Sequence, residues 1–324
     1  MRIEGLVAAT FSTFKKDGSL DLDPISVLVE KLISEGIKGI FICGTNGEGP
    51  NLTIEERMLT AEKYVKAINK RIVLMVHVGH PSIAESKKLA AHAQKIGADA
   101  ISAVSTFYFK PESAQVMVEC MAEIASAAPD LPFYYYHIPA LTGVSVNVLE
   151  FLQLGEQKIP SLAGIKYTAS TLHEYQACLN YKKGKFDILF GYDELLLPAL
   201  SIGAKGAIGS TYTFAAPIYL KIMECFRNGD IAAAQELQYS SVKMVQCLAK
   251  HSAIPTQKAI MKMLGMDLGP CRLPLNTLTN AQLTELTEQL SATGFFTTLK
   301  KLSASEANIE KTNGILKEEI HLSK

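Results

Sequence analysis

The chain carries no surplus of charge: 32 Lys and Arg balance 32 Asp and Glu, for a formal net charge of zero. A nucleic-acid binder normally shows a basic surplus or stripe, so the balance argues against that class. No apolar run approaches the ~18 residues that a membrane-spanning helix requires. Glu4 follows a single basic residue at the N-terminus and the apolar stretch there is short, which does not read as a signal peptide. Six cysteines (43, 120, 178, 225, 247 and 271) form no C-x-x-C pair and read as reduced, mostly buried thiols of a cytoplasmic protein. The Walker spacing and G-x-G-x-x-G are missing. So is the G-x-S-x-G elbow, which lowers the case for a serine hydrolase. What remains is a soluble globular chain of 324 residues, 48% hydrophobic, large enough for one α/β unit and a small appendage.

Short β-rich runs recur at near-constant spacing: Gly5–Ser12, Gly39–Thr45, Arg71–Gly79, Ala100–Thr106, Pro132–Pro139, Leu162–Thr168, Asp187–Asp193 and Gly206–Thr211. Segments of helical period lie between them, such as Thr53–Asn69, Ser82–Ile96 and Glu112–Ala127. Thr53 and Glu56 are spaced as a capping box, and so are Thr279 and Gln282. Gly36, Gly97 and Gly203 each stand where a helix stops in a left-handed cap before an apolar strand. Strands apolar on both faces imply a parallel sheet covered by helices. Eight such units predict a closed (β/α)8 barrel, a fold of ~250 residues. After about Phe214 only helices are expected, over Pro217–Arg227, Ile231–His251, Pro255–Leu264 and Asn280–Ser291, with a break at Asn228-Gly229. The division expected is a barrel over 1–228, a helical region over 229–299 and a charged, weakly ordered tail over 300–324.

Reactive groups of such a barrel gather at the C-terminal ends of its strands. Lys166 is the unusual residue there. Strand alternation puts Gly164, Lys166 and Thr168 on one face. If that face points inward, burial disfavours the ammonium, and a neutral amine can attack a carbonyl to form a Schiff base. The alternative is a strand-end lysine that snorkels its charge to the mouth. Tyr136 falls on the neighbouring strand, where a phenol can relay a proton; a satisfied core aromatic is the more common meaning of a single Tyr. Tyr134 and Tyr135 are assigned to packing. Gly44-Thr45-Asn46-Gly47 is either a turn or a set of backbone N–H groups that converges with the Thr45 hydroxyl on a carboxylate. Asp193 and Glu194 read either as an acidic helix cap or as acceptors for polyol hydroxyls. His77 and His80 are the one tempting metal pair, but no third ligand stands at useful spacing, so structural roles are favoured and no metal is expected.

Taken in order, these strings resemble the N-acetylneuraminate lyase and dihydrodipicolinate synthase superfamily of class I aldolases, over roughly residues 3 to 297. The superfamily's G-[ST]-T-G-E string matches Gly44-Thr45-Asn46-Gly47-Glu48, its Schiff-base lysine matches Lys166, and its proton-shuttling tyrosine in Y-x-I-P matches Tyr136. The synthases hold their substrate's carboxylate with an Arg where this chain has Leu141, which disfavours that branch. Ile138-Pro139-Ala140-Leu141-Thr142-Gly143, Gly191-Tyr192-Asp193-Glu194, Gly209-Ser210-Thr211 and the Gly269–Leu275 string look instead like the lyase branch. The resemblance implies reversible aldol cleavage of N-acetylneuraminate to N-acetylmannosamine and pyruvate. It assigns Lys166 and Tyr136 the chemistry, Thr45 and Asn46 the carboxylate, and Thr168, Gly191, Asp193, Glu194 and Ser210 the sugar hydroxyls. It also implies a homotetramer, no metal or organic cofactor, and Tyr108 as a tyrosine that reaches a neighbouring subunit. Asn46 departs from the family's Thr or Ser. Two other readings remain: an aldolase for a different 2-keto-3-deoxy acid, and a barrel that binds a keto acid or sugar without turning it over.

Overall fold

The eight apolar runs become β1 (Gly5–Ala9), β2 (Gly39–Ile42), β3 (Val73–His77), β4 (Ala100–Val104), β5 (Phe133–His137), β6 (Leu162–Tyr167), β7 (Asp187–Phe190) and β8 (Gly206–Gly209). In this computed structural model, which describes residues 1–304, they close as a parallel barrel in sequence order, with β8 paired back to β1. Each strand ends before its apolar run does. Beyond the last ladder partner the chain turns into the βα loop, as at Cys43, whose φ of 57° is left-handed.

Alternation divides the side chains into two cores. Val7, Phe41, Met75, Tyr134, Tyr136, Leu189 and Ile208 pack inside the barrel. Leu6, Ile40, Ile101, Tyr135 and Ile165 face outward and pack in the larger core beneath the helices. The register places Val104 beside Tyr136, Tyr136 beside Lys166, and Lys166 beside Leu189. Lys166 therefore shares the inner face of the barrel.

The helices that follow the strands are α1 (Pro24–Ser34), α2 (Ile54–Ile68), α3 (Ile83–Ile96), α4 (Ala114–Ala125), the short α5 (Pro139–Thr142), α6 (Val148–Lys158), α7 (Leu172–Asn180), α8 (Leu196–Ser201) and α9 (Tyr212–Arg227). Both capping boxes form, at Thr53 and at Thr279, each joined to the residue three positions on through backbone and side chain. Helix α9 starts before the expected Pro217. A kink at Ala215 (φ −128°) splits it, so Pro217 falls at the start of the second part, where a missing N–H does little harm.

Three further helices, α10 (Ile231–Leu248), α11 (Ala253–Met263) and α12 (Asn280–Ala292), form the appendage. A last helical segment runs from 295 to 304, so the expected tail is helical where it begins; its remainder, 305–324, lies outside the described residues. No helix among the described residues is long and apolar enough to cross a membrane. All six cysteines are free, with 43, 178, 225 and 247 buried.

Candidate active site

Lys166 is 3% exposed, and its Nζ lies 4.0 Å from the ring centroid of Tyr136 and 4.1 Å from that of Phe41. Ring faces attract a cation, so the two aromatics offset part of the cost of taking the amine out of water. The hydroxyl of Tyr136 is 3.3 Å from Thr45 Oγ1. Thus an amine, a phenol and the loop after β2 converge at the mouth of the barrel.

The loop after β2 closes on itself: Glu48 N–H donates to Thr45 O (3.0 Å) and Gly49 N–H to Gly44 O (3.0 Å). That closure leaves the N–H groups of Thr45 and Asn46 outside it. A cavity of about 260 Å³ opens above Lys166, lined by Thr45, Asn46, Tyr136, Thr168, Gly191, Asp193, Glu194 and Ser210 among others. Every residue expected at the site is therefore brought to one cavity.

Two glycines make room there. A Cβ on Gly191 would overlap Thr168 Oγ1, and one on Gly209 would overlap Asp193 Oδ1. The Thr168 hydroxyl is buried without a hydrogen-bond partner, as is Asp193 Oδ1. The other oxygen, Asp193 Oδ2, accepts from Thr211 N–H (2.9 Å) and Thr211 Oγ1 (2.6 Å). Asp193 is thus a cross-loop tie rather than a cap for its own short helix. Burial pushes the carboxyls of Asp193 and Glu194 above the usual range, moderated at Asp193 by the Thr211 hydrogen bonds.

His77 borders this region and is held neutral, first by burial and then by the charges of Arg57 and Lys166. Its Nδ1 lies 3.1 Å from Cys43 O, and its Nε2 accepts from Val104 N–H (3.1 Å). His80 Nδ1 accepts from Ser82 N–H (3.0 Å). Both histidines are thereby occupied in structure. Among the described residues, no three His, Cys, Asp or Glu side chains gather as metal ligands.

A family model described as the dihydrodipicolinate synthetase family matches residues 2–293. The chain belongs to the dihydrodipicolinate synthetase family. Among relatives of that family, the N-acetylneuraminate lyase of Rattus norvegicus is 39% identical over 283 residues, covering 86% of this chain and 88% of its own. That of Xenopus tropicalis is 41% identical over 278 residues, covering 85% and 91%. The solved N-acetylneuraminate lyase of Proteus mirabilis superposes with a TM-score of 0.88 at 35% identity, covering 91% of this chain and all (100%) of its own. The Aliivibrio salmonicida enzyme gives 0.88 at 38% identity, covering 91% and 98%. With this membership the chain is an enzyme, a carbon–carbon lyase of the class I aldolase type.

Sequence reasoning missed the part of the site that comes from the appendage. Lys258 of α11 is 5% exposed and donates to Glu48 Oε1 (3.0 Å) and Pro270 O (2.8 Å). Glu48 Oε2 accepts from Arg272 N–H (3.0 Å), while the Arg272 guanidinium pairs with Glu56 at 2.5 Å. Gln238 of α10 accepts from Leu197 N–H (2.7 Å) and donates to Asp193 O (3.3 Å). The appendage thus braces both the loop after β2 and the loop after β7. The Gly269–Leu275 string was the only trace of this bracing in the sequence, through Arg272.

Proposed function

We propose that the chain is an N-acetylneuraminate lyase, cleaving N-acetylneuraminate reversibly to N-acetylmannosamine and pyruvate. The observation that carries this reading is Lys166 Nζ buried against the ring of Tyr136, whose hydroxyl meets Thr45, beneath a cavity that continues to Asp193, Glu194 and Ser210. The names of the relatives at 39% and 41% identity support the substrate.

In this mechanism the Lys166 amine, in its neutral form, adds to the C2 ketone of the open-chain sugar acid, and Tyr136 gives its proton to the departing water, leaving a protonated imine and a phenolate. The imine accepts the electron pair of the C3–C4 bond, which breaks to leave an enamine. Tyr136 takes the C4 hydroxyl proton as N-acetylmannosamine departs. Protonation of the enamine at C3 and hydrolysis release pyruvate and restore the amine. Thr45 and Asn46 hold the carboxylate, Asn46 through its backbone N–H. Thr168, Gly191, Asp193, Glu194 and Ser210 receive the hydroxylated chain. We assign the barrel to 1–228 and the appendage to 229–299, and a homotetramer in which Tyr108 meets a neighbour; that loop's Tyr108 and Phe109 are 78% and 84% exposed.

Incubation with N-acetylneuraminate and borohydride, followed by peptide mapping, tests the reading. A pyruvate-sized adduct on Lys166 is expected. No adduct from the sugar acid, with free pyruvate still labelling Lys166, would keep the aldolase and remove this substrate. No label from either would favour a binding barrel without turnover. Lys166→Ala should keep the circular-dichroism spectrum of the native fold and lose all cleavage.

A further inference from the structure

The cavity above Lys166 has a roof that no strand supplies. Val245, Leu248 and Ala249 at the end of α10, with Ala253 and Gln257 of α11, line it together with the polar loop ends. Four of these five side chains are apolar. Gln257 is 5% exposed, and its Oε1 is buried with no hydrogen-bond partner. A half-turn of the carboxamide exchanges oxygen and nitrogen in nearly the same space, so the group can meet a ligand as acceptor or donor. Buried polar atoms in folded proteins are normally satisfied, and an orphan in a ligand cavity calls for a partner from the ligand.

We propose that Gln257 and the apolar roof around it form a subsite for an N-acyl substituent of the substrate. This rests on the sugar-acid reading above and deepens it. The roof is neutral, so it does not suit a carboxylate or an ammonium, either of which needs a counter-charge when buried. A lone hydroxyl has no acyl group to fill the apolar surface or to carry an amide up to the carboxamide. An acylamino group matches both parts: its planar amide pairs with the carboxamide, and its methyl fills the space against Leu248 and Ala253. The hydroxyls of the chain are provided for elsewhere, by Thr168, Asp193, Glu194 and Ser210. Gln257 is therefore a specificity-determining residue, distinct from the groups that act on the C3–C4 bond.

The test compares cleavage of N-acetylneuraminate with that of its analogue carrying a hydroxyl in place of the acetamido group, in the full-length enzyme and in Gln257→Leu. Borohydride trapping of pyruvate on Lys166 runs alongside. Gln257→Leu should lower kcat/KM for the N-acetyl substrate by between about three- and tenfold, chiefly through KM, as expected for one neutral hydrogen bond. The hydroxyl analogue and the pyruvate trapping should be unchanged. Equal losses on both substrates, or none on either, overturn the subsite while leaving the lyase reading intact. A wild-type enzyme that cleaves only the hydroxyl analogue overturns both. Should Gln257→Leu fail to trap pyruvate, Gln257→Glu, nearly equal in size, takes its place: a ratio of the two substrates that falls supports the subsite, and an unaltered ratio overturns it.

Discussion

On the proposed mechanism Tyr136 has two functions at the residue scale, and one substitution separates them. Its ring is one of the two faces that border Lys166 Nζ, and its hydroxyl meets Thr45. Tyr136→Phe keeps the ring and removes only the hydroxyl. Pyruvate should still be trapped on Lys166 by borohydride, while kcat for sugar-acid cleavage falls by roughly 10²- to 10⁴-fold, the usual contribution of a positioned acid–base group. Equal kcat in the variant would remove the phenol from the mechanism. This pair was legible in the sequence because period-two alternation and strand order suffice to put Lys166 and Tyr136 side by side on one face. The partner of Asp193 was not: Thr211 lies 18 residues away on another loop, and no local pattern announces it. Gln257 escaped for the same reason, since a helical period shows that α11 packs but not which cavity it covers.

Elements legible from period and caps still ended differently from the sequence reading. The barrel runs overran their strands by one to three residues at the C-terminal end, because an apolar βα loop reads like strand until the ladder stops. Inter-element bracing is wholly tertiary, and the loop after β2 shows it best. Glu48 sits in the left-handed region at φ 48° and meets Lys258 of α11 inside the protein, at side-chain exposures of 0% and 4%. Breaking one partner of such a pair leaves a buried charge and typically costs about 3–5 kcal/mol. Lys258→Met should lower unfolding stability by that order in urea titration and raise the pyruvate concentration needed for half-maximal trapping, because the loop bearing Thr45 and Asn46 loses its brace. Adding Glu48→Gln should recover part of both losses. A variant as stable as wild type with unaltered trapping would show the pair to be idle.

The whole molecule carries two buried neutral histidines whose effect is felt in its pH response. His77 is held well below the ordinary histidine value, and His137 is pushed down to about 4, in both cases mainly by burial. In the unfolded chain each returns to about 6.5. Below that pH the unfolded state binds more protons than the native one. The stabilisation is thus complete above about pH 6.5 and is lost as pH falls toward 4, at up to ~1.4 kcal/mol per pH unit for each histidine. His137 stands 5.2 Å from the Tyr167 ring, so His137→Phe should pack there and flatten the decline in urea midpoint between pH 6.5 and 4. An undiminished slope would assign the acid sensitivity to other groups.

The seam between β7 and β8 rests on one register pair, Phe190 with Ala207, where the neighbouring seam of β6 and β7 has four. Just beyond it, Asp193 joins the two loops through Thr211, and Gln238 fastens Asp193 from above. Asp193 is a rivet of the barrel as well as a wall of the cavity. On the proposed function, anyone retuning the enzyme toward shorter or less hydroxylated acids should therefore begin at Glu194 and leave Asp193 alone: at the first position a change would alter what fits, whereas at the second it would open the staves.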